Sequence, residues 1–411
     1  MNLLTAIFLA FAFAGIATQW LLVRRHVAHI SRNRDCVPDA FQGRIPLAEH
    51  QKAADYTCAK VRAGLAELAF GTLVLLVWTL GGGLRWLDEH WRALQLPELW
   101  TGVGFVTSVV LIGGIFDIPF SAYRTFGLEQ RFGFNRMTPR LFLADLLKQA
   151  LLLLVIGVPM IVLVLWIMDR GKLWWLGVWL SWLAFSLAMM WAYPAFIAPL
   201  FNRFRPLDNE ELRRRIEELL TRNGFASKGI FVMDGSARST HGNAYFAGMG
   251  TSKRIVFFDT LVNELSHAEI EAVLAHELGH FKRRHISKRM TTMAVIVLAG
   301  LALLAWLIDE PWFYAGLGAG EPSNYMGMML LLLTAPVFTF FLQPVFSSIS
   351  RRHEFEADEF AARQAQTENL IHALVKLYRE NSNTLTPDPL YSAFHDSHPP
   401  APTRIARLAT L

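Results

Sequence analysis

Seven stretches of this chain hold almost unbroken apolar positions, each near the roughly 20 residues needed to cross a hydrocarbon core. They run from Leu3 to Val23, Gly64 to Leu84, Thr101 to Tyr123, Leu146 to Met168, Leu173 to Pro199, Thr291 to Ile308 and Tyr325 to Ser347. Any one of them could be a buried core helix; seven together predict membrane spans. Polar positions return in two regions, 200–290 and 348–411. Leu207 to Asn223 reads as an amphipathic helix, with Gly224 placed to end it. Gly229 to Asp234, Asn243 to Gly248 and Arg254 to Leu261 read as short strands between turn residues. Ser266 and Glu269 have capping-box spacing, which starts a further helix at about His267.

Composition supports this division. Of 411 residues 53% are apolar and 18% charged, with 13 Trp and 30 Phe, whereas soluble chains carry about 25% charged residues. A disordered chain, a disulfide scaffold and a water-soluble array are excluded. The net charge of +5 suggests a polyanion only until its placement is read. Arg24, Arg25, Arg32 and Arg34 follow span one, and Arg124, Arg131, Arg136 and Arg140 follow span three. Basic residues flanking apolar blocks mark cytoplasmic loops, so no nucleic-acid partner is expected. The rule puts the N-terminus outside and both polar regions in the cytosol. Met1 to Thr5 carries no positive side chain, so span one reads as an uncleaved anchor. Cys36 and Cys58 are expected to stay free thiols. Glu67 and Asp117 fall inside predicted spans, where a carboxylate needs either an interhelical partner or a wet cavity.

The chemistry concentrates on His276-Glu277-Leu278-Gly279-His280. Residues four apart share a helical face, so both imidazoles can bind one metal, and Glu277 can serve as general base toward a water there. Two histidines and a carboxylate suit Zn²⁺. The pair could also be ordinary surface histidines; a metal site demands a third ligand. The metzincin spacing fails, because Ile286 stands where a histidine would fall and Arg283 where a glycine is required. The best remaining source is the helical stretch from Arg351 to Ala361. There Glu354 would complete a His₂Glu site, and Asp358, one turn on, would orient a ligand imidazole. A Glu-rich helix is otherwise a solvated face.

His-Glu-Leu-Gly-His, two spans and then Glu-x-x-x-Asp resemble the M48 metalloproteases, and specifically the Ste24 family of CAAX prenyl proteases. Phe126 to Asn135, Ser239 to Phe246, and Ser397-His398-Pro399-Pro400 followed by Arg404 resemble that family's further motifs. The resemblance implies a mainly α, seven-transmembrane-helix protein with a gluzincin-type zinc metalloprotease domain and a small β-sheet. It implies one Zn²⁺ per chain on His276, His280 and Glu354, with Glu277 as base and Asp358 supporting the site. Asn243 would hold a peptide added as a strand, and His398 and Arg404 would stabilise the substrate carbonyl or the oxyanion. A chamber enclosed by the seven helices would give Glu67 and Asp117 a wet side.

The expected organisation is a membrane part at 1–199, a catalytic segment at 200–290, two spans at 291–347 and a C-terminal catalytic segment at 348–411. The expected partners are a bilayer and peptide or protein substrates, with or without a prenyl group. The C-terminal residues show no dilysine retention signal, so a bacterial member is expected, in the inner membrane; a eukaryotic one would sit in the ER. Three other readings stand beside this one: an HtpX-type quality-control protease, a transporter with a regulatory metal site, and an inactive scaffold.

Overall fold

The structure, a computed structural model, describes residues 2–247 and 252–411. Each predicted span overlaps one of seven helices long and apolar enough to cross a membrane. In chain order these begin with α1 (Leu3–Arg32), α2 (Leu47–Trp78), α3 (Glu98–Phe132), α4 (Pro139–Met168) and α5 (Trp174–Phe201). Two longer helices outside the spans follow, α6 (Glu210–Arg222) and α7 (His267–Lys282). Then come the spans α8 (His285–Leu307) and α9 (Asn324–Gln364). The chain closes with α10 (Thr367–Glu380), α11 (Pro389–His395) and α12 (Ala401–Leu408).

Hydropathy marks only the apolar part of each helix, and two boundaries move for that reason. α2 begins at Leu47 rather than Gly64, and it stops at Trp78 before a turn through left-handed Gly82 (φ 79°). α9 runs on past Ser347 to Gln364, with a 3₁₀ turn at Phe340–Leu342. Span seven and the Glu354 helix are therefore one continuous rod. Three helices widen into π turns at Tyr123–Glu129, Leu153–Gly157 and Tyr193–Ile197. Pro119, Pro159 and Pro194 lie in or near these turns, where a missing N–H and a bulky ring disturb the i→i−4 ladder.

The sheet has the order β1-β2-β4-β3. β1 (Phe204–Pro206) runs antiparallel to β2 (Ala226–Met233), β2 parallel to β4 (Ser252–Phe258), and β3 (Ala244–Ala247) antiparallel to β4. β3 is an edge strand. Gly248, the expected end of that strand, lies outside the described residues. β4 ends three residues before the expected Leu261, because Asp259 starts a short helix (Asp259–Glu264) and accepts from the amides of Ser236 and Thr260 at 2.9 Å each.

Buried apolar residues gather at two ends. One core joins Leu212, Ile216, Ile230, Phe257, Leu274 and Leu374 around the sheet. The other joins Phe105, Leu165, Trp174, Leu304 and Tyr325 at the far ends of the spans. Between them the helices stand apart: no α2 residue from 59 to 77 is buried. The gap is a cavity of about 870 Å³, walled in part by Gln19, Lys60, Glu67 and Arg124. Arg124 reaches Glu67 at 2.6 Å and Asp117 at 3.6 Å, so both intramembrane acids share a cation and Glu67 also faces the cavity. Cys36 and Cys58 are free.

Candidate active site

α7 starts where its sequence says it should. Ser266 Oγ accepts the Glu269 amide at 3.3 Å, and Glu269 accepts the Ser266 amide at 2.7 Å, which satisfies two otherwise orphan donors. Lys376 of α10 adds a contact to Glu269 at 2.7 Å. Ile270, Leu274 and Leu278 enter the sheet-side core, which leaves His276, Glu277 and His280 toward α9 and the cavity. The two rods touch at Gly279, where an added Cβ would stand 2.9 Å from Ala357 Cα. Only a residue without a side chain lets the imidazoles come this close to Glu354.

Their ligand atoms form a tight triangle. His276 Nε2 lies 3.2 Å from His280 Nε2 and 3.5 Å from Glu354 Oε2, and His280 Nε2 lies 3.3 Å from Glu354 Oε1. Ligands at about 2.0–2.1 Å from a tetrahedral zinc stand roughly 3.3–3.4 Å apart, so each pair of side chains is spaced like two corners of such a site, with Glu354 meeting the two rings through different oxygens. Glu354 Oε2 is buried and accepts no hydrogen bond. Burial opposes charging His276, yet Asp358 and Glu354 raise it to about 9; the pocket favours positive charge. Geometry and electrostatics therefore fit a bound cation.

The outer nitrogens of the two rings are also held. His276 Nδ1 meets Asp358 Oδ1 at 2.8 Å. Asp358 in turn accepts from Arg404 through Nε at 2.8 Å and Nη2 at 2.5 Å, all of them buried. His280 Nδ1 meets His285 Nδ1 at 3.1 Å, and His285 Nε2 meets Glu356 at 3.0 Å. His285 returns to the site because α7 breaks at left-handed Arg284 (φ 57°). Its place five residues past His280 puts it out of phase on an unbroken helix, and the sequence reading passed over it; the basic run ending at the break was the available signal.

The other expected residues also gather here. Glu277 is half-buried and faces the cavity, and its carboxylate has no hydrogen bond or ion pair among the described residues. His398 is exposed toward the cavity, its Nε2 3.4 Å from Glu354 Oε1. Arg404 lines the cavity, where Asp358 engages its Nε and Nη2 and its Nη1 lies 3.8 Å from Glu354 Oε2. Asn243 stands at the start of edge strand β3 on the cavity wall, its Oδ1 accepting the Ala244 amide at 2.8 Å.

A family model described as the CAAX prenyl protease N-terminal part, with five membrane helices, matches residues 26–203. The model of peptidase family M48 matches residues 206–411. CAAX prenyl protease 1 of Saccharomyces cerevisiae is 39% identical over 97% of this chain and 93% of its own. The human CAAX prenyl protease 1 homologue is 30% identical over 85% and 82%. The crystal structure of S. mikatae Ste24p superposes with a TM-score of 0.91 at 31% identity, covering 99% of both chains. A transporter fold is thereby set aside, and likeness along the whole length favours Ste24 over the HtpX type. The chain belongs to peptidase family M48 as a member of its CAAX prenyl protease 1 group, and it is a multi-span integral membrane metalloendopeptidase.

Proposed function

We propose that the chain cuts CAAX-type C-terminal peptides, prenylated or not, inside the cavity, with one zinc ion on His276, His280 and Glu354. The triangle of side chains at 3.2–3.5 Å, with His276 and Glu354 buried and His280 half-buried, carries this reading. The substrate class comes from the names of the relatives. The catalytic segments, 200–290 and 348–411, face the cytosol in the orientation that the basic loops favour. The basic residues then serve orientation and not a nucleic acid.

Zinc held there would polarise the scissile carbonyl and acidify a bound water. Asp358 occupies Nδ1 of His276 and so leaves its Nε2 free toward His280 and Glu354, where it would hold the metal, and His285 does the same for His280. Glu277 takes the proton from the attacking water and gives it to the leaving amine. His398, beside Glu354 and open to the cavity, donates to the developing oxyanion. Arg404 holds Asp358 first and lends its charge to the same oxygen from behind. The peptide lies along the free edge of β3 near Asn243, adding itself as a strand.

Glu277→Gln should lower kcat by at least about 10³-fold while zinc content stays at one per chain. Mass spectrometry of products from a farnesylated CAAX peptide and its unprenylated twin reads both activity and prenyl dependence. Unchanged hydrolysis by Glu277→Gln would falsify the mechanism.

A further inference from the structure

Two sequence motifs remain without a role in this chemistry, Phe126 to Asn135 and the residues from Ser239 that precede Asn243. They bind one another. Asn135 and Ser239 form an isolated antiparallel bridge. The Arg136 amide donates to Arg238 O at 3.0 Å, and the Thr240 amide to Phe134 O at 3.1 Å. Arg238 is fixed by Asp145 of α4 at 2.9 and 3.1 Å.

The residues leading directly into β3 are held more tightly still. His241 stacks on Phe134 with ring centroids 4.6 Å apart. Its Nε2 lies 3.3 Å from Glu129 Oε2, and its Nδ1 lies 3.2 Å from Asn381 Oδ1. That Asn381 oxygen also accepts the Gly242 amide at 3.2 Å. The Thr260 hydroxyl donates to His241 O at 3.1 Å. Glu129 accepts the Tyr56 hydroxyl on its other oxygen at 2.6 Å. One chain of contacts thus runs from α2, through the π turn of α3, to the start of the edge strand, and on to the C-cap of α10. Its members Tyr56, Glu129, Gly242 and Asn381 line the cavity together with Asn243 and Glu277.

A peptide that adds as a strand takes its register from free backbone groups. A slip of one residue moves the scissile bond by about 3.3 Å and flips every side chain to the other face. The start of β3 must therefore be fixed relative to the metal triangle. We propose that Tyr56, Glu129, His241 and Asn381 are positioning residues that fix it, and so determine which peptide bond is cut. This rests on reading β3 as the substrate edge.

The test measures KM, kcat, cut position and zinc content in full-length protein. A farnesylated CAAX peptide is compared with a twin N-methylated at the amides that would pair with β3. Asn381→Leu should raise KM about tenfold and release a second product cut at a neighbouring bond, with zinc content unchanged. Asn381→Asp, which keeps the accepting oxygen, should restore a single product. Tyr56→Phe removes one hydroxyl and should move the same two quantities less; it carries the test should Asn381→Leu not accumulate. A loss confined to kcat, with KM and cut position as in wild type, overturns the positioning role while leaving the proposed function intact. If N-methylation leaves wild-type KM unchanged, the edge-strand reading falls and the positioning role with it.

Discussion

His276 and His280 sit one turn apart on α7, yet their outer nitrogens rest on opposite kinds of support. Behind His276 stands a dry charge pair: Asp358 is 2% exposed and Arg404 7%. Behind His280 stands a second ring, His285, whose own partner Glu356 has a side chain 42% exposed. A buried ion pair is stable only while both partners remain, so the His276 side ties metal binding to folding. A ring relayed to a half-exposed carboxylate can lose its partner with little cost to the fold. The same metal is thus served by one support that the whole catalytic core depends on and one that acts mainly on the ligand.

Asp358→Asn should separate the two supports most sharply. It leaves Arg404 charged, buried and short of its partner, at about 3–5 kcal/mol of stability, and it should weaken zinc binding about 10- to 100-fold. Thermal unfolding and chelator competition read the two effects; loss of zinc affinity without loss of stability would contradict the dry-pair account. Gly279→Ala touches both sides at once, because its methyl meets Ala357 on the partner rod. It should destabilise by about 1–3 kcal/mol and weaken zinc binding by spreading the triangle, whereas Ala357→Gly should do neither as strongly. Glu356→Ala, which removes the half-exposed end of the relay and leaves the buried His285 ring in place, should weaken zinc binding up to about tenfold with the melting temperature nearly unchanged; a large drop in that temperature would show that the two supports are alike.

The smallest effect lies at the other end of α7. Burial favours the neutral form of Glu269, but Lys376 and Ser266 outweigh it and hold the carboxyl below its ordinary range. A depressed acid adds stability above its unfolded pKa, about 4.3, and loses it as pH falls through the folded value. Lys376→Met should remove about 0.5 kcal/mol near neutral pH and flatten the acid limb of a stability profile measured by thermal melts.

What could be read from the sequence follows from how local each feature is. The His276–His280 pair, Glu277 and the Ser266–Glu269 cap lie within one helix, where spacing dictates geometry. Glu354 was reachable because a metal demands another ligand, and Asp358 because it follows one turn later. Arg404 was placed at the site, but its main partner, Asp358, depends on packing between α9 and α12, which no spacing encodes. His285 escaped because helical phase was extended across a break. Asn381 carries no signal at all: a C-cap asparagine is ordinary until tertiary structure brings Gly242 to it. Span boundaries shifted because hydropathy reports contact with lipid and not the length of the rod.

The π turn at Tyr123–Glu129 has a consequence for how this protein can change. Each residue in a helix contributes about 100° of rotation and 1.5 Å of rise. The π turn takes up one extra residue, so a loss inside it can be absorbed as the turn tightens to α. Deleting one residue from the regular part of α3 would instead shift its helical phase, turning Glu129 by about 100° relative to the helix before it and away from both Tyr56 and His241. Substitutions among the lipid-facing residues of α3 leave that phase untouched. Variation in the regular part of this span is therefore constrained in residue count far more than in residue type, and single-residue deletions there should be tolerated worse than many simultaneous apolar exchanges, and worse than a deletion inside the π turn.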